Sequence, residues 1–161
     1  RKLLGDYFAF ITELATIYGQ MGKKTEQLNE FLKYLEADEN NLEAVKKALS
    51  MSFSNPEDFE PLKQVVLQKV QEDPNSYSWN ELLMWTLVQQ KDFYGAFIQI
   101  KALEKRTKGN GTRLIELAKI CINSEEYDAA YECLSYVKDL GPKNPNYYSA
   151  IQALLFIGFK K

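Results

Sequence analysis

The 161-residue chain contains no histidine. That absence removes the commonest general base, the commonest catalytic metal ligand, and every triad or cysteine–histidine dyad. Cysteine is nearly absent too: Cys121 and Cys133 lie twelve residues apart, without Cys-x-x-Cys spacing, inside apolar helical runs. They read as buried free thiols acting as small hydrophobes; nothing in the sequence argues for a disulfide, and the redox compartment stays open. No apolar run approaches about 18 residues, so no membrane insertion is expected. There is no basic footprint either. The formal net charge is −2, the isoelectric point is about 5.4, and the lysines cluster only as pairs such as Lys23-Lys24, Lys46-Lys47 and Lys160-Lys161. Nucleic acid is therefore not an expected partner. A phosphate-binding loop is lacking: Gly109-Asn110-Gly111 runs into Thr112-Arg113 rather than Lys-Ser/Thr, and no strand precedes it. The carboxylates that could be paired, Asp6 with Glu13 or Glu125, Glu126 and Asp128, sit at helix starts or on polar faces. The helix dipole and solvation account for them there, so no enzyme, metal or cofactor is expected.

What is present is helical. Hydrophobic residues make up 45% and charged residues 26%, the globular range, and the length suits one domain over residues 1–161. Leu-, Ala-, Glu-, Lys- and Gln-rich stretches of about 12 to 16 residues alternate with short breaks. Asn55-Pro56 closes one helix and Pro61 suits the first turn of the next. Asp73-Pro74-Asn75-Ser76 and Gly109-Asn110-Gly111-Thr112 read as helix-to-helix turns. Ser124, followed by two glutamates, reads as a cap, as does Asn144 ahead of Pro145. No stretch alternates with period two, so no sheet is expected.

The register is the strongest signal. Leu14, Leu49, Leu83, Leu117 and Ile151 are spaced 35, 34, 34 and 34 residues apart. Tyr18, Phe53, Leu87, Cys121 and Leu155 follow four residues later with the same spacings, and Phe31, Val66, Ile100 and Leu134 form a column in the intervening segments. Gln27, Leu62, Ala96 and Ala130 precede those by four. A period near 34 built from helix, tight turn and helix marks a helical-hairpin solenoid.

With "ELATIYGQMGK" at 13–23, "DPNS" at 73–76, "KDFYGA" at 91–96 and "EEYDAA" at 125–130, the chain resembles the tetratricopeptide-repeat (TPR) family. The resemblance implies an all-α fold, a right-handed α-solenoid of antiparallel helix hairpins. Its repeats would cover about 8–42, 43–76, 77–110 and 111–144, with the first helix of a fifth at 145–158. Departures from the family pattern are Gln27 and Leu62 in place of a small residue, Met84 and Gln152 in place of the small one in the first helix, and Glu39 in place of the closing proline. The extra residue of the 35-residue spacing is expected in the loop Asp38–Asn41. The lysine-, asparagine- and tyrosine-rich style of "DFYGAFIQIKALEKR" is similar to long TPR proteins of bacteria. A chain that begins at Arg1 without methionine reads as a segment of a longer protein. Its compartment, periplasmic or cytoplasmic, would depend on a preceding segment.

The resemblance implies a non-catalytic protein–protein interaction scaffold that binds a peptide or helix in a groove lined by the first helix of each repeat. Members that bind chaperones grip a C-terminal carboxylate with lysine and asparagine. Here Thr16, Met51 and Trp85 stand where two such asparagines would be needed, which excludes that use. The positions that project into the groove offer instead Met51, Trp85, Val88 and Ile122, edged by Lys47, Glu81, Gln89 and Lys119. Trp85 reads either as a binding anchor or as a packing residue between repeats. Two alternatives accompany this reading: a related 35-residue RNA-binding hairpin family, disfavoured by charge, and self-association through the nearly all-apolar C-terminal helix "AIQALLFIGF" at 150–159.

Overall fold

A computed structural model describes residues 13, 14, 17 and 20–160 of the chain. Asp6, Thr12, Thr16, Tyr18 and Gly19 lie outside the described residues. All the regular structure within them is helical. Eight α-helices run in order: α1 (Lys24–Ala37), α2 (Leu42–Ser52), α3 (Glu60–Glu72), α4 (Tyr77–Gln89), α5 (Phe93–Thr107), α6 (Thr112–Asn123), α7 (Tyr127–Asp139) and α8 (Tyr147–Lys160). Short 3-10 turns occupy Glu39–Asn41 and Pro56–Phe59. The chain forms two compact units, residues 1–68 and 69–161, and the boundary falls inside α3.

In the first unit α1 packs on α2. The loop after α1 is the 3-10 turn Glu39–Asn41, with Asp38 Oδ1 accepting from the Asn40 N–H at 3.0 Å. Gln27 stands where a small side chain would let two helices close up, and it is buried. Its amide is satisfied there by donating to Ser52 Oγ at 3.2 Å, which makes the larger, polar residue tolerable. Phe53 and Phe59 meet edge to face at 5.2 Å and close the loop after α2. The start of α3 falls at Glu60, so Pro61 occupies its first turn, where no intrahelical donor is missed.

The second unit is a series of helices, each packed on the next from α4 to α8, with α5 also touching α7 and α6 touching α8. The turns between them repeat in detail. At the end of α4, Lys91 N–H donates to the Val88 carbonyl at 2.9 Å and Asp92 N–H to the Leu87 carbonyl at 2.8 Å. At the end of α6, one period later, Glu125 N–H donates to Ile122 at 3.0 Å and Glu126 N–H to Cys121 at 2.8 Å. This paired bonding around a left-handed residue is the Schellman motif, and it reverses the chain in three residues. Lys91 and Glu125 both have φ 61 and Gly22, two periods ahead of Lys91, has φ 73. The residues that follow, Lys23, Asp92 and Glu126, have (φ, ψ) of (−95, 69), (−93, 70) and (−92, 69). One turn geometry is thus built three times from three different sequences.

The other class of connection, leading into α4, α6 and α8, also recurs. Ser76 Oγ accepts from the Trp79 N–H at 3.4 Å, Asn110 Oδ1 from the Thr112 N–H at 3.1 Å, and Asn144 Oδ1 from the Asn146 N–H at 2.8 Å. These three residues are one period apart. Asn144 therefore closes a local turn two residues long, and α8 begins at Tyr147 rather than at Pro145. Ser124 likewise differs from the expectation: its N–H ends α6, and Glu126 takes the cap position of α7 without a side-chain bond. A Schellman turn consumes the two residues after Ser124, which moves the cap downstream.

Burial follows the 34-residue columns. Leu49, Leu83 and Leu117 are fully buried, as are Leu62, Val66, Ala96 and Ala130, with Phe53, Leu87, Cys121, Phe31, Ile100 and Leu134 nearly so. Each leucine in such a place contributes about 1.5–3 kcal/mol through its removal from water. At the last turn of the series the columns emerge: Ile151 is half-buried and Leu155 exposed. Cys121 and Cys133 are free and buried on α6 and α7. The contact with Cys121, together with burial, pushes the Cys133 thiol far above the ordinary thiol range. No described helix is long and apolar enough to cross a membrane.

Candidate functional site

On α4, Leu83 and Leu87 point into the unit, whereas Trp85, Val88 and Gln89 keep part of their surface in water. A helix turns 100° per residue, so a residue two places from a buried one faces well away from it and a residue five places on lies between. The same rule acts on α6, where Leu117, Ala118 and Cys121 are buried, Lys119 is exposed and Ile122 is half-buried. On α8, Ala153 and Phe156 occupy the matching positions, half-buried and exposed. Equivalent positions on α4, α6 and α8 thus keep part of their surface in water, and these carry a mixture of aromatic, aliphatic, amide and ammonium groups. In the first unit, α2 buries Val45 and Leu49 and exposes Lys47 and Met51, the latter at 79%.

Glu81 was expected at the edge of a groove. The residue is instead only 8% exposed, and its carboxylate faces Arg113 Nε at 3.7 Å. Arg113 lies at the start of α6, stacks over the Tyr77 ring at 5.9 Å, and donates from Nη1 to Glu104 Oε1 at 3.0 Å. Glu104, 2% exposed near the end of α5, accepts the Gly111 N–H on its other oxygen at 2.8 Å. A Cβ on Gly109 would collide with this carboxylate. Two acidic groups and one guanidinium therefore tie the start of α4 to the α5–α6 connection. Burial without such partners would cost each carboxylate several kcal/mol. Tyr136 completes the surroundings: burial and the Glu104 charge both raise its phenol.

Sequence reasoning passed over Glu104 and Arg113. "ALEKR" reads as a solvated helix end, and glutamate in such a run is ordinarily exposed. The signal in the sequence is Gly109-x-Gly111, which begins three residues after Arg106. Two glycines close to a helix end accompany a close backbone approach, and what approaches is the Glu104 carboxylate.

A concave cleft of about 320 Å³ lies away from these faces, along the hairpin turns. Lys91, Asp92, Tyr94, Glu126, Asp128 and Glu132 line it, and none is among the residues expected to bind. Among the described residues no set of three or more histidine, cysteine, aspartate or glutamate side chains is placed to hold a metal ion.

No family model, curated protein or solved structure matches this chain.

Proposed function

We propose that the chain is a TPR-like helical-repeat scaffold and that it holds a peptide or helical segment of a protein partner on the solvent-facing side of its first helices. The observation that carries this reading is the register: Trp85 and Val88 on α4, and Lys119 and Ile122 on α6, keep accessible surface beside a fully buried column. In this reading the hairpins of the second unit continue one another in the right-handed sense of that family, which presents those positions side by side. The thrice-built turn and the 34-residue caps support a repeat origin. Trp85 is the anchor, Val88 and Ile122 extend the apolar strip, and Gln89 and Lys119 supply hydrogen bonds and charge at its edge. Met51 and Lys47 play the equivalent part on α2 in the first unit. Glu81 serves the face indirectly, by fixing Arg113 and the start of α6.

Selection of random peptides against the 161-residue chain tests the reading. Selected peptides are expected to lose at least tenfold in affinity for Trp85→Ala and for Lys119→Glu, while thermal melting stays within a few degrees. Melting that collapses in Trp85→Ala would make the indole a core residue and would remove the anchor.

A further inference from the structure

Cys121 and Cys133 are the only cysteines in the chain, and the fold brings them into contact across the α6–α7 hairpin. Both are fully buried. Two features of the hairpin set that contact. α6 and α7 pack on one another with small residues between them, Ala118 on α6 and Ala129 and Ala130 on α7, all buried. In addition, every Cα–Cβ bond leans toward the N-terminus of its own helix. The turn lies between Asn123 and Tyr127, so in this antiparallel pair Cys121 leans away from it and Cys133 leans toward it. The two thiols converge although Cys133 starts farther from the turn.

The register marks the pair as a joint departure from the repeat. The column through Cys121 carries Phe53, Leu87 and Leu155, and the column through Cys133 carries Glu30, Val65 and Gln99. Only one hairpin has thiols in these columns, and it has both. A buried aliphatic serves packing in the first column, as Leu87 does, and the second column is half-buried in the other repeats. Packing alone does not call for two sulfurs that touch.

We infer that Cys121 and Cys133 are a redox-active pair, which a peroxide converts to an intrachain disulfide that staples α6 to α7. The hydrogen bond from the Cys133 S–H holds the Cys121 thiol below the ordinary thiol range, so Cys121 supplies the thiolate. Its sulfur attacks one oxygen of hydrogen peroxide, the O–O bond breaks, and hydroxide leaves to take up the Cys121 proton as water. The Cys133 sulfur then attacks the sulfenic sulfur of Cys121, whose S–O bond breaks, and the departing hydroxyl takes the Cys133 proton as a second water. Two thiols have lost two electrons and the peroxide has gained them. Cys121 lies in the last turn of α6, where a helix opens at low cost and admits an oxidant little larger than water. The new bond, about 2 Å long, ties the end of α6 to the middle of α7. This inference does not rest on the partner-binding reading.

The test treats the whole 161-residue chain with hydrogen peroxide, unfolds it in N-ethylmaleimide and reads the intact mass. The oxidised chain is expected to be a monomer, about 2 Da lighter than the reduced one and without maleimide adducts. Dithiothreitol should restore both adducts. Cys133→Ser should stop at the sulfenic acid, which dimedone traps on Cys121. If that variant loses its helicity by circular dichroism, Cys133→Ala takes its place. Two adducts surviving the peroxide overturn the inference. So does a disulfide-linked dimer, or separate sulfinic acids on the two cysteines in place of the bond between them.

Discussion

Replacing Glu104 isolates the polar cluster that joins α5 to α6. The wild-type carboxylate satisfies a buried backbone N–H at Gly111 and half of the Arg113 guanidinium. In Glu104→Ala the Gly111 donor is left without a partner in a closed site, a loss of about 1–3 kcal/mol. Arg113 keeps Glu81 at 3.7 Å and stays 28% exposed, so its own loss is smaller, about 1 kcal/mol. Release of a buried charge offsets part of this, leaving a net destabilisation of about 1–3 kcal/mol, against a total stability on the order of 5–15 kcal/mol. Glu104→Gln keeps an oxygen for the Gly111 N–H but turns an amide donor toward Arg113, so it should lose about half as much. Urea unfolding followed by Trp79 and Trp85 fluorescence reports on the second unit, where both indoles lie. The alanine variant should shift the midpoint down by roughly 0.5–1.5 M, given a slope near 2 kcal/mol per molar. The exposed Glu132→Ala should leave it within the error. A shift below about 0.3 M for Glu104→Ala, or glutamine falling further than alanine, would refute this account of the cluster.

Three further outcomes follow from the backbone and the core. Lys91→Gly and Glu125→Gly should each stabilise the chain by about 0.3–1 kcal/mol, since a left-handed residue costs a side chain more than glycine's extra freedom costs the fold; Gly22→Ala should do the reverse, and melting temperatures check all three. Ala130→Leu should destabilise by about 1–3 kcal/mol through overpacking at a fully buried site, read from the same urea curves, whereas Ala153→Leu on the half-buried side of α8 should be near neutral. The buried Cys133 thiol titrates far above its unfolded value, so the stability tied to its protonated form is complete below the unfolded thiol range. Above about pH 9 the unfolded chain binds fewer protons, and stability should fall with a slope approaching 1.4 kcal/mol per pH unit. Replacing both thiols, Cys121→Ala with Cys133→Ala, should flatten that alkaline limb, because without Cys133 burial alone raises the Cys121 thiol.

Much of the architecture was legible because it rests on periodicity. A leucine recurring at 34 residues with an apolar residue four places later points to a repeated helical contact, and on α2, α4 and α6 those columns are buried. The alanines at 96 and 130 were legible for the same reason, since a small residue in a large column implies close backbones. The turn residues were harder. Lys91 and Glu125 adopt the conformation that Gly22 would advertise, and neither type announces a positive φ. What forces them is the Schellman bonding and the packing of the two helices, which local propensity does not contain. Ser124 looked like a cap because it precedes acids, yet the turn begins at it rather than ends there. The face around Trp85 was legible as a set of register positions. The ion cluster was not, because Glu81, Glu104 and Arg113 are brought together across three helices and carry no spacing of their own.

The central claim is that the accessible face of the first helices in the second unit binds a partner segment. A footprint of a selected peptide on the isotopically labelled chain, read from backbone and indole NMR shifts, tests it most directly. The account predicts perturbations concentrated at Trp85, Val88, Gln89, Lys119 and Ile122, with the turn residues Lys91, Asp92, Glu126 and Asp128 unmoved. A footprint centred on those turn residues, with the Trp85 indole resonance unchanged, would contradict it.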